Sequence, residues 1–490
     1  MIPSINFTSK EQELQHLVVV ISKLSKLPAG LFNAAEKKYM KEQIETLKQE
    51  VVSFNRLGYW VYIFFIKEEK DKSQRMEACR KAGDKVSGYL NAQKAVSVAI
   101  YDSEGKSEEA LAFAEGMALG SYQFLKYKKD KESENTLKKI EIYRGTIEES
   151  GNETDVSGQV SKVTHLNILL EAVAFCRDLI NEPNSYLTAT VFSKEVEKIA
   201  KESGANVEVL NKKKLAVLRM GGLLGVNQGS HEPPTFTVME WKPVTAKNNK
   251  PVVLIGKGVV YDTGGMNIKT GNLMLNMKDD MSGAAAVAAA IYAISKAKLP
   301  VYVVGLMPAT DNRPGVKALV SGDIITMHNG TTVEVVDTDA EGRLILADAL
   351  SYAKRYDPAL VIDLATLTGS AVRAIGKFGA AAMQSKAPQE LEALKKSGYN
   401  VYERLVEFPM WEEYGEQIKS DLADLKNLGS AEAGMITAGK FLEKFTGYPY
   451  IHLDIAGPAY IEKRDSYRGQ GGTGFGVRLL FDFIQRVGEE

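Results

Sequence analysis

The sequence predicts an α/β protein of two domains: a smaller N-terminal α/β domain and a larger C-terminal domain built on a mixed β-sheet covered by helices. Three observations predict it. Strand-like apolar runs alternate with helix-like amphipathic runs along the chain, as in layered α/β folds. A polar stretch marked by Gly145, Gly151 and Gly158 interrupts the alternation as a linker does. Beyond it, residues 251–343 crowd acidic and cationic residues into short loops between strand-like and helix-like segments, where open α/β sheets place their sites. With 490 residues the chain has room for two to three domains. The expected division is 1–155, a linker and interdomain helix over 156–182, and 183–490.

The N-terminal part reads in order as follows. His16–Ile21 and Trp60–Ile66 are buried strands, Arg75–Leu90 an amphipathic helix and Ala95–Ile100 a strand. Glu108–Phe124 is a helix in which Gly116 and Gly120 allow close packing, and Lys138–Arg144 is a further strand. Lysines between Lys126 and Lys139 alternate with acids and read as a solvated surface loop. Val163–Leu179 is helical and stops at Asn181-Glu-Pro183, because the residue before proline is pushed out of the helical region.

In the second part, Ala189–Lys201 is a helix and Asn206–Leu210 a strand. Gly221, Gly222 and Gly225 predict a tight loop, followed by strands at Phe236–Trp241 and Val252–Ile255. Met281–Lys296 is an alanine-rich helix suited to lying close on a sheet, and Val301–Leu306 is a core strand. Asn329-Gly330 between the apolar runs 323–327 and 332–336 signals a hairpin. Ala340–Tyr356 is a helix and Leu360–Leu364 a buried strand.

Composition narrows the function classes. Hydrophobic residues make up 44% and charged residues 25%, and the net charge is -1, so no global charge draws the chain to nucleic acid or an anionic membrane. Cys79 and Cys176 are too few and too far apart for a disulfide scaffold or a cysteine zinc site. No basic-then-apolar leader and no run long enough to span a membrane is present, which leads to the expectation of a cytoplasmic protein.

The chemistry lies in three motifs. Gly256-Lys257-Gly258 follows the apolar run 251–255, with Asp262 and Lys269 close behind; Asp280-Met-Ser-Gly283 precedes the alanine-rich helix; Asp337-Thr-Asp339-Ala-Glu341-Gly-Arg343-Leu344 opens the next one. Asp262, Asp280, Asp339 and Glu341 read singly as solvated loop acids or helix caps. Gathered together, they need counter-cations, and divalent metal ions are the usual ones. Lys257 emerges at a strand end between glycines; beside cations its pKa falls enough to coordinate. A phosphate loop is disfavoured, since Gly-x-x-x-x-Gly-Lys-Ser/Thr is absent and no helix follows Lys257.

In order and spacing these motifs resemble the cytosolic leucyl aminopeptidases, the two-metal M17 type. The resemblance covers roughly residues 170–485 and includes Arg177–Pro183, Gly222–Ser230, Ala365–Gly369 and His452–Gly457. It implies a metal-dependent aminopeptidase that releases leucine-like N-terminal residues. One ion would take Lys257, Asp262, Asp280 and Glu341; the other would take Asp262, Glu341 and Asp339, the last through both side chain and carbonyl. Zinc, manganese, cobalt and magnesium all suit such ligands. The ions would share a water, lower its pKa and present it as the attacking hydroxide.

By the same resemblance Lys269 stabilises the oxyanion, and a bicarbonate held by Arg343 serves as general base. Met277, Thr366, Gly369, Ala456 and Ala459 match positions lining the pocket for the first side chain. Leu367 matches a position whose backbone contacts substrate. The substrate is a peptide with a free N-terminus, and the assembly is a homohexamer with its catalytic domains grouped at the centre. Asp337 departs from the family's usual asparagine, adding a negative charge beside the cluster. His452 reads as a hydrogen-bonded structural residue. A nucleic-acid-binding role and a catalytically dead scaffold are the competing readings; mixed charges weigh against the first and the complete residue set against the second.

Overall fold

In the computed structural model the described residues are 2–8, 16–67, 71–102, 107–130, 132–143 and 153–489. The chain divides into two compact units, Met1–Ala174 with Lys463–Gly469, and Phe175–Glu462 with Gln470–Glu490.

Among the described residues the first unit contains a six-stranded sheet. Its strands are β1 (Ser4–Thr8), β2 (His16–Ile21), β3 (Val51–Asn55), β4 (Trp60–Phe65), β5 (Ser97–Asp102) and β6 (Lys139–Tyr143), in the order β1-β6-β5-β2-β4-β3. All neighbours are parallel except β3 and β4. Helices α1 (Ala34–Glu45), α2 (Lys72–Ala92) and α3 (Ser107–Gly120) belong to the same unit. The central strands are buried on both faces, so they read as unbroken apolar runs.

Helix α2 packs closely on α3 because both carry glycine at the contact. A Cβ on Gly83 would lie 2.0 Å from the Phe113 carbonyl oxygen, and one on Gly116 would lie 1.9 Å from that of Arg80. Helix α3 stops at Gly120, short of the expected Phe124. Between these helices Arg80 Nε donates to Glu115 Oε2 at 2.6 Å, and Tyr467 Oη donates to the buried Glu77 Oε2 at 2.8 Å.

Helix α4 (Glu153–Asn181) begins inside the stretch expected to be linker. Polarity and one glycine do not suffice to break a helix. Residues 145–152 of that stretch lie outside the described residues.

In the second unit the chain runs α5 (Ala189–Ser203), β7 (Asn206–Leu210), α6 (Lys212–Val217), α7 (Gly221–Val226), β8 (Thr235–Trp241), β9 (Val252–Gly256), β10 (Gly258–Asp262), α8 (Ser282–Lys296) and β11 (Val303–Asn312). The short hairpin β12 (Ile324–Thr326) and β13 (Thr332–Glu334) is followed by α9 (Glu341–Ala353), β14 (Leu360–Ala365), α10 (Gly369–Ile375), β15 (Ala380–Ser385), α11 (Pro388–Val401) and β16 (Leu405–Glu407). Then come α12 (Glu412–Glu416), β17 (Leu425–Lys426), α13 (Gly434–Glu443), β18 (Tyr450–Asp454), the hairpin β19 (Tyr460–Ile461) and β20 (Gly471–Gly472), and α14 (Val477–Glu489). The main sheet follows the order β16-β15-β18-β14-β9-β11-β8-β7, with β10 paired beside the end of β11. It is mixed: β18, β14, β9 and β11 are parallel, while β8 and β15 run antiparallel to their neighbours β11 and β18.

Two glycine sets set the packing. Gly221 and Gly222 begin helix α7 rather than a tight loop. Added Cβ atoms there would lie 1.8 Å from the Thr326 carbonyl oxygen and 2.3 Å from that of Leu344. These glycines thus serve close approach of backbones, not a turn. Under the sheet, a Cβ on Gly283 would meet the Leu364 oxygen at 2.0 Å and one on Gly256 would meet the Ala284 backbone. Alanine-rich α8, buried along its length apart from Lys296, therefore sits directly on β9 and β14. That proximity brings the loops after both strands and before the helix to one place.

Candidate active site

The motif residues converge at the carboxyl ends of the central parallel strands. Lys257 follows β9, Asp262 ends β10, Asn312 ends β11, Thr366 follows β14, Asp280 stands just before α8 and Glu341 opens α9. Asp262, Asp280 and Glu341 each offer a carboxylate oxygen, and these oxygens lie within 4.8 Å of one another. All three side chains are buried.

Two lysines sit among the acids. Lys257 Nζ lies 2.7 Å from Asp280 Oδ1 and 3.0 Å from Glu341 Oε1, and donates to the Thr366 carbonyl at 3.0 Å. Lys269 Nζ lies 2.9 Å from Asp262 Oδ2 and 2.7 Å from Asp339 Oδ1, so Asp339 joins the triad through a shared cation. Asp280 does not cap α8; its Oδ1 instead accepts from Lys257 and Thr366 Oγ1.

Four carboxylates thus face two ammonium groups, an excess of two negative charges. The titration of the site reflects that excess. Burial opposes the charge on Lys257 and Lys269, but the carboxylates overcome it and hold both amines protonated well above the ordinary lysine range. Burial, together with the neighbouring acids, also raises Asp280, Asp339 and Glu341. For the acids the surplus of negative charge adds to the effect of burial; for the amines it outweighs burial. Among the described residues Asp280 Oδ2 and Glu341 Oε2 are buried without a hydrogen-bond partner, an arrangement that costs free energy unless something else fills the gap.

Around this core, ordinary polar residues fix the ligand loops. Asn312 Nδ2 donates to Asp262 Oδ1 at 2.8 Å and to the Thr338 carbonyl at 3.0 Å. Thr338 Oγ1 donates to the Gly264 carbonyl at 2.6 Å, bringing the loops 263–267 and 337–341 together. Asp337 Oδ1 accepts from the Asp339 amide at 2.9 Å. Arg343 is buried; Nη1 donates to the Asn427 carbonyl at 2.7 Å, while Nε has no partner. Burial lowers its pKa to about 10, which leaves it a cation at neutral pH.

The residues expected to form the substrate pocket occupy three segments. Met277 is half-buried in the turn leading to Asp280. Thr366, Leu367 and Gly369 lie in the loop from β14 into α10, with Gly369 exposed. Ala456 is half-buried and Ala459 buried in the turn after β18. Asp454 joins the last two segments: it accepts from the amides of Leu367 and Ala456, each at 3.2 Å, and from Thr368 Oγ1 at 2.6 Å. His452 is fully buried, with Nδ1 2.7 Å from Asp363 Oδ1, in agreement with a structural role.

The sequence reading gives no role to Asn312, Asp454 and Asn427; the two asparagines act from segments distant from the motifs they support, and Asp454, inside the His452–Gly457 stretch, also reaches the distant Leu367 amide. A polar residue closing an otherwise apolar strand, as at Asn312 and Asp454, was the available signal.

Comparison with known proteins decides the kinship. The catalytic-domain model of the cytosol aminopeptidase family matches residues 174–481, and the family's N-terminal-domain model matches 67–131. The chain belongs to the cytosol aminopeptidase family. This aminopeptidase is 42% identical over 428 residues to the probable cytosol aminopeptidase of Chloroherpeton thalassium, covering 84% of each chain. It is 40% identical over 419 residues to that of Geotalea uraniireducens, covering 85% of this chain and 83% of the other. Among solved structures, a K354E mutant of tomato leucine aminopeptidase superposes with a TM-score of 0.84 at 26% identity, covering 99% of this chain and 96% of that one. The bottromycin maturation enzyme BotP in complex with Mn superposes with a TM-score of 0.83 at 28% identity, covering 97% and 100%. The protein is a hydrolase of the exopeptidase class.

Proposed function

We propose that this aminopeptidase is metal-dependent and prefers leucine-like N-terminal residues. The observation that carries the metal dependence is the trio of buried carboxylates within 4.8 Å, two of whose outer oxygens lack partners. The excess of negative charge there is what divalent cations relieve. Asp262, Asp280, Asp339, Glu341 and Lys257 would hold two ions, Mn or Zn foremost, with Mg or Co as alternatives; oxygen and amine donors suit all four. The BotP structure with Mn supports this choice. Held there, two divalent ions would supply Lewis acidity, to a water, to the scissile carbonyl and to the free α-amine that marks an N-terminus.

The chain's own groups do the rest. To serve as a ligand Lys257 would have to give up the proton that the carboxylates hold on it. Lys269, only partly exposed and bridging two acids at the site, would offer its ammonium to the oxygen that gains charge. Preorganised donors of this type are worth a few kcal/mol, about 10²–10³ in kcat. Arg343, buried and cationic with an unpaired Nε, suits a planar bicarbonate, which would move the proton from the attacking water to the leaving amine. Met277, Thr366, Leu367, Gly369, Ala456 and Ala459 would receive the first side chain, and their largely apolar character favours leucine.

The protein would work in the cytoplasm as a homohexamer. Exposed Met266, Ile268, Leu273 and Leu275, flanking Lys269, are apolar surface that assembly would bury.

Hydrolysis of Leu-p-nitroanilide by chelated protein refilled with single metals tests the reading, with N-acetyl-Leu-p-nitroanilide as control. Activity should vanish on chelation, return with Mn or Zn and never extend to the acetylated analogue. Full activity in metal-free protein would refute it.

A further inference from the structure

We propose that Asn427 is a positioning residue that sets the spacing of Asp339 and Glu341 and aims Arg343. The inference rests on the metal-dependent reading above and goes beyond it to a residue outside the motifs.

Asn427 is fully buried and follows the short strand β17. There β17 pairs in parallel with β13, Val333 against Leu425 and Glu334 against Lys426, and the Asn427 amide donates to the Glu334 carbonyl at 3.0 Å. Beyond that point the Asn427 side chain continues the ladder. Oδ1 accepts from the amides of Val336 at 2.8 Å and Asp337 at 3.3 Å, while Nδ2 donates to the Asp337 carbonyl at 2.7 Å. One primary amide thereby satisfies three backbone groups just before the ligand loop.

The residue's own carbonyl accepts from Arg343 Nη1 at 2.7 Å. Asn427 therefore holds both flanks of Asp339-Ala340-Glu341, the entering backbone through its side chain and the departing arginine through its main chain. Among the described residues the Asn427 carbonyl is the hydrogen-bond partner that fixes the Arg343 guanidinium, so it sets which way the unpaired Nε faces. A donor and an acceptor at once are required, and of the side chains of this length only asparagine offers both. Groups that orient ligands in this way typically contribute 10–100-fold in metal affinity or activity.

The test compares the full-length protein with Asn427→Asp and Asn427→Ala. Asn427→Asp keeps size and both acceptor bonds but puts an oxygen where Nδ2 meets the Asp337 carbonyl. Ser193→Ala, which removes buried hydrogen bonds between α5 and β8, serves as a destabilised control. Mn binding is followed by calorimetry on chelated protein, and kcat and KM are measured on Leu-p-nitroanilide with Mn. Both Asn427 variants are expected to bind Mn about 10–100-fold more weakly and to lose kcat by a similar factor, with KM little changed. Ser193→Ala should lower Tm while leaving Mn affinity and kcat at the wild-type values. If Asn427→Ala does not fold, Asn427→Asp decides. Wild-type Mn affinity and kcat in the Asn427 variants, or an equal loss in Ser193→Ala, would overturn the inference while leaving the metal reading intact. A wild-type protein that binds no Mn and cleaves no substrate would overturn the metal reading and this inference with it.

Discussion

At the scale of single residues, the site is a problem of charge. Glu341 illustrates it: one oxygen lies 3.0 Å from Lys257, the other is buried and unpartnered, and burial with Asp262 nearby raises its pKa. As the ligand expected to serve both ions, it cannot be spared. Glu341→Ala should lose metal and activity together, read by metal analysis of the purified variant and Leu-p-nitroanilide turnover; near-normal turnover would remove Glu341 from the site. Asp337 makes the converse case. Its Oδ1 accepts from the Asp339 amide, a bond that an asparagine oxygen can also accept. Burial and Asp262 raise the pKa of Asp339 against the opposing pull of Lys269, and the negative charge of Asp337 adds to the rise. Asp337→Asn should therefore stay active, with the acid limb of its pH–rate profile moved to lower pH. An unmoved limb, or activity abolished with metal content intact, would contradict this.

At the scale of elements, glycines decide whether side chains can meet. Gly342, in the first turn of α9, faces Lys257: an added Cβ would lie 2.4 Å from Lys257 Cε and 2.7 Å from Nζ. The far end of a lysine side chain can move aside, so Gly342→Ala should fold. The displaced amine should weaken metal binding and cut kcat by about 10–100-fold; unaltered metal affinity would show that the α9 turn does not hold Lys257 in place. The central strands of both units were legible because burial on both faces writes long apolar runs, as in β2, β4 and β14. Short edge strands such as β1 and β3 leave too brief a pattern to stand out. The acids and lysines of the site were legible because each sits in a local motif with its neighbours. Asn427 and Asn312 were not, since a lone asparagine reads first as a turn residue. Its partner lies 84 residues away in the case of the Arg343–Asn427 bond. The glycines at 221 and 222 misled for the opposite reason, since close packing and tight turns call for the same residue.

At the scale of the whole molecule, buried ionisable groups couple folding to pH. Burial opposes charge on His452, but Asp363 at 2.7 Å, aided by Asp454, raises its pKa above the ordinary 6.5. A histidine whose folded pKa exceeds its unfolded one adds stability that is complete below the unfolded value and is lost as pH rises through the folded one. Between pH 6.5 and 8.5 the wild-type Tm should therefore fall more steeply than that of His452→Gln, as thermal denaturation would record; parallel curves would mean that the imidazole stays neutral. The return of Lys463–Gly469 to the first compact unit has a practical consequence of another kind. A gene fragment ending at Ala174 would encode helices α2 and α3 without Tyr467, the phenol that donates to the buried Glu77 in their interior. Domain dissection by simple truncation should thus yield an aggregation-prone product, and a soluble excised version needs that seven-residue loop grafted back.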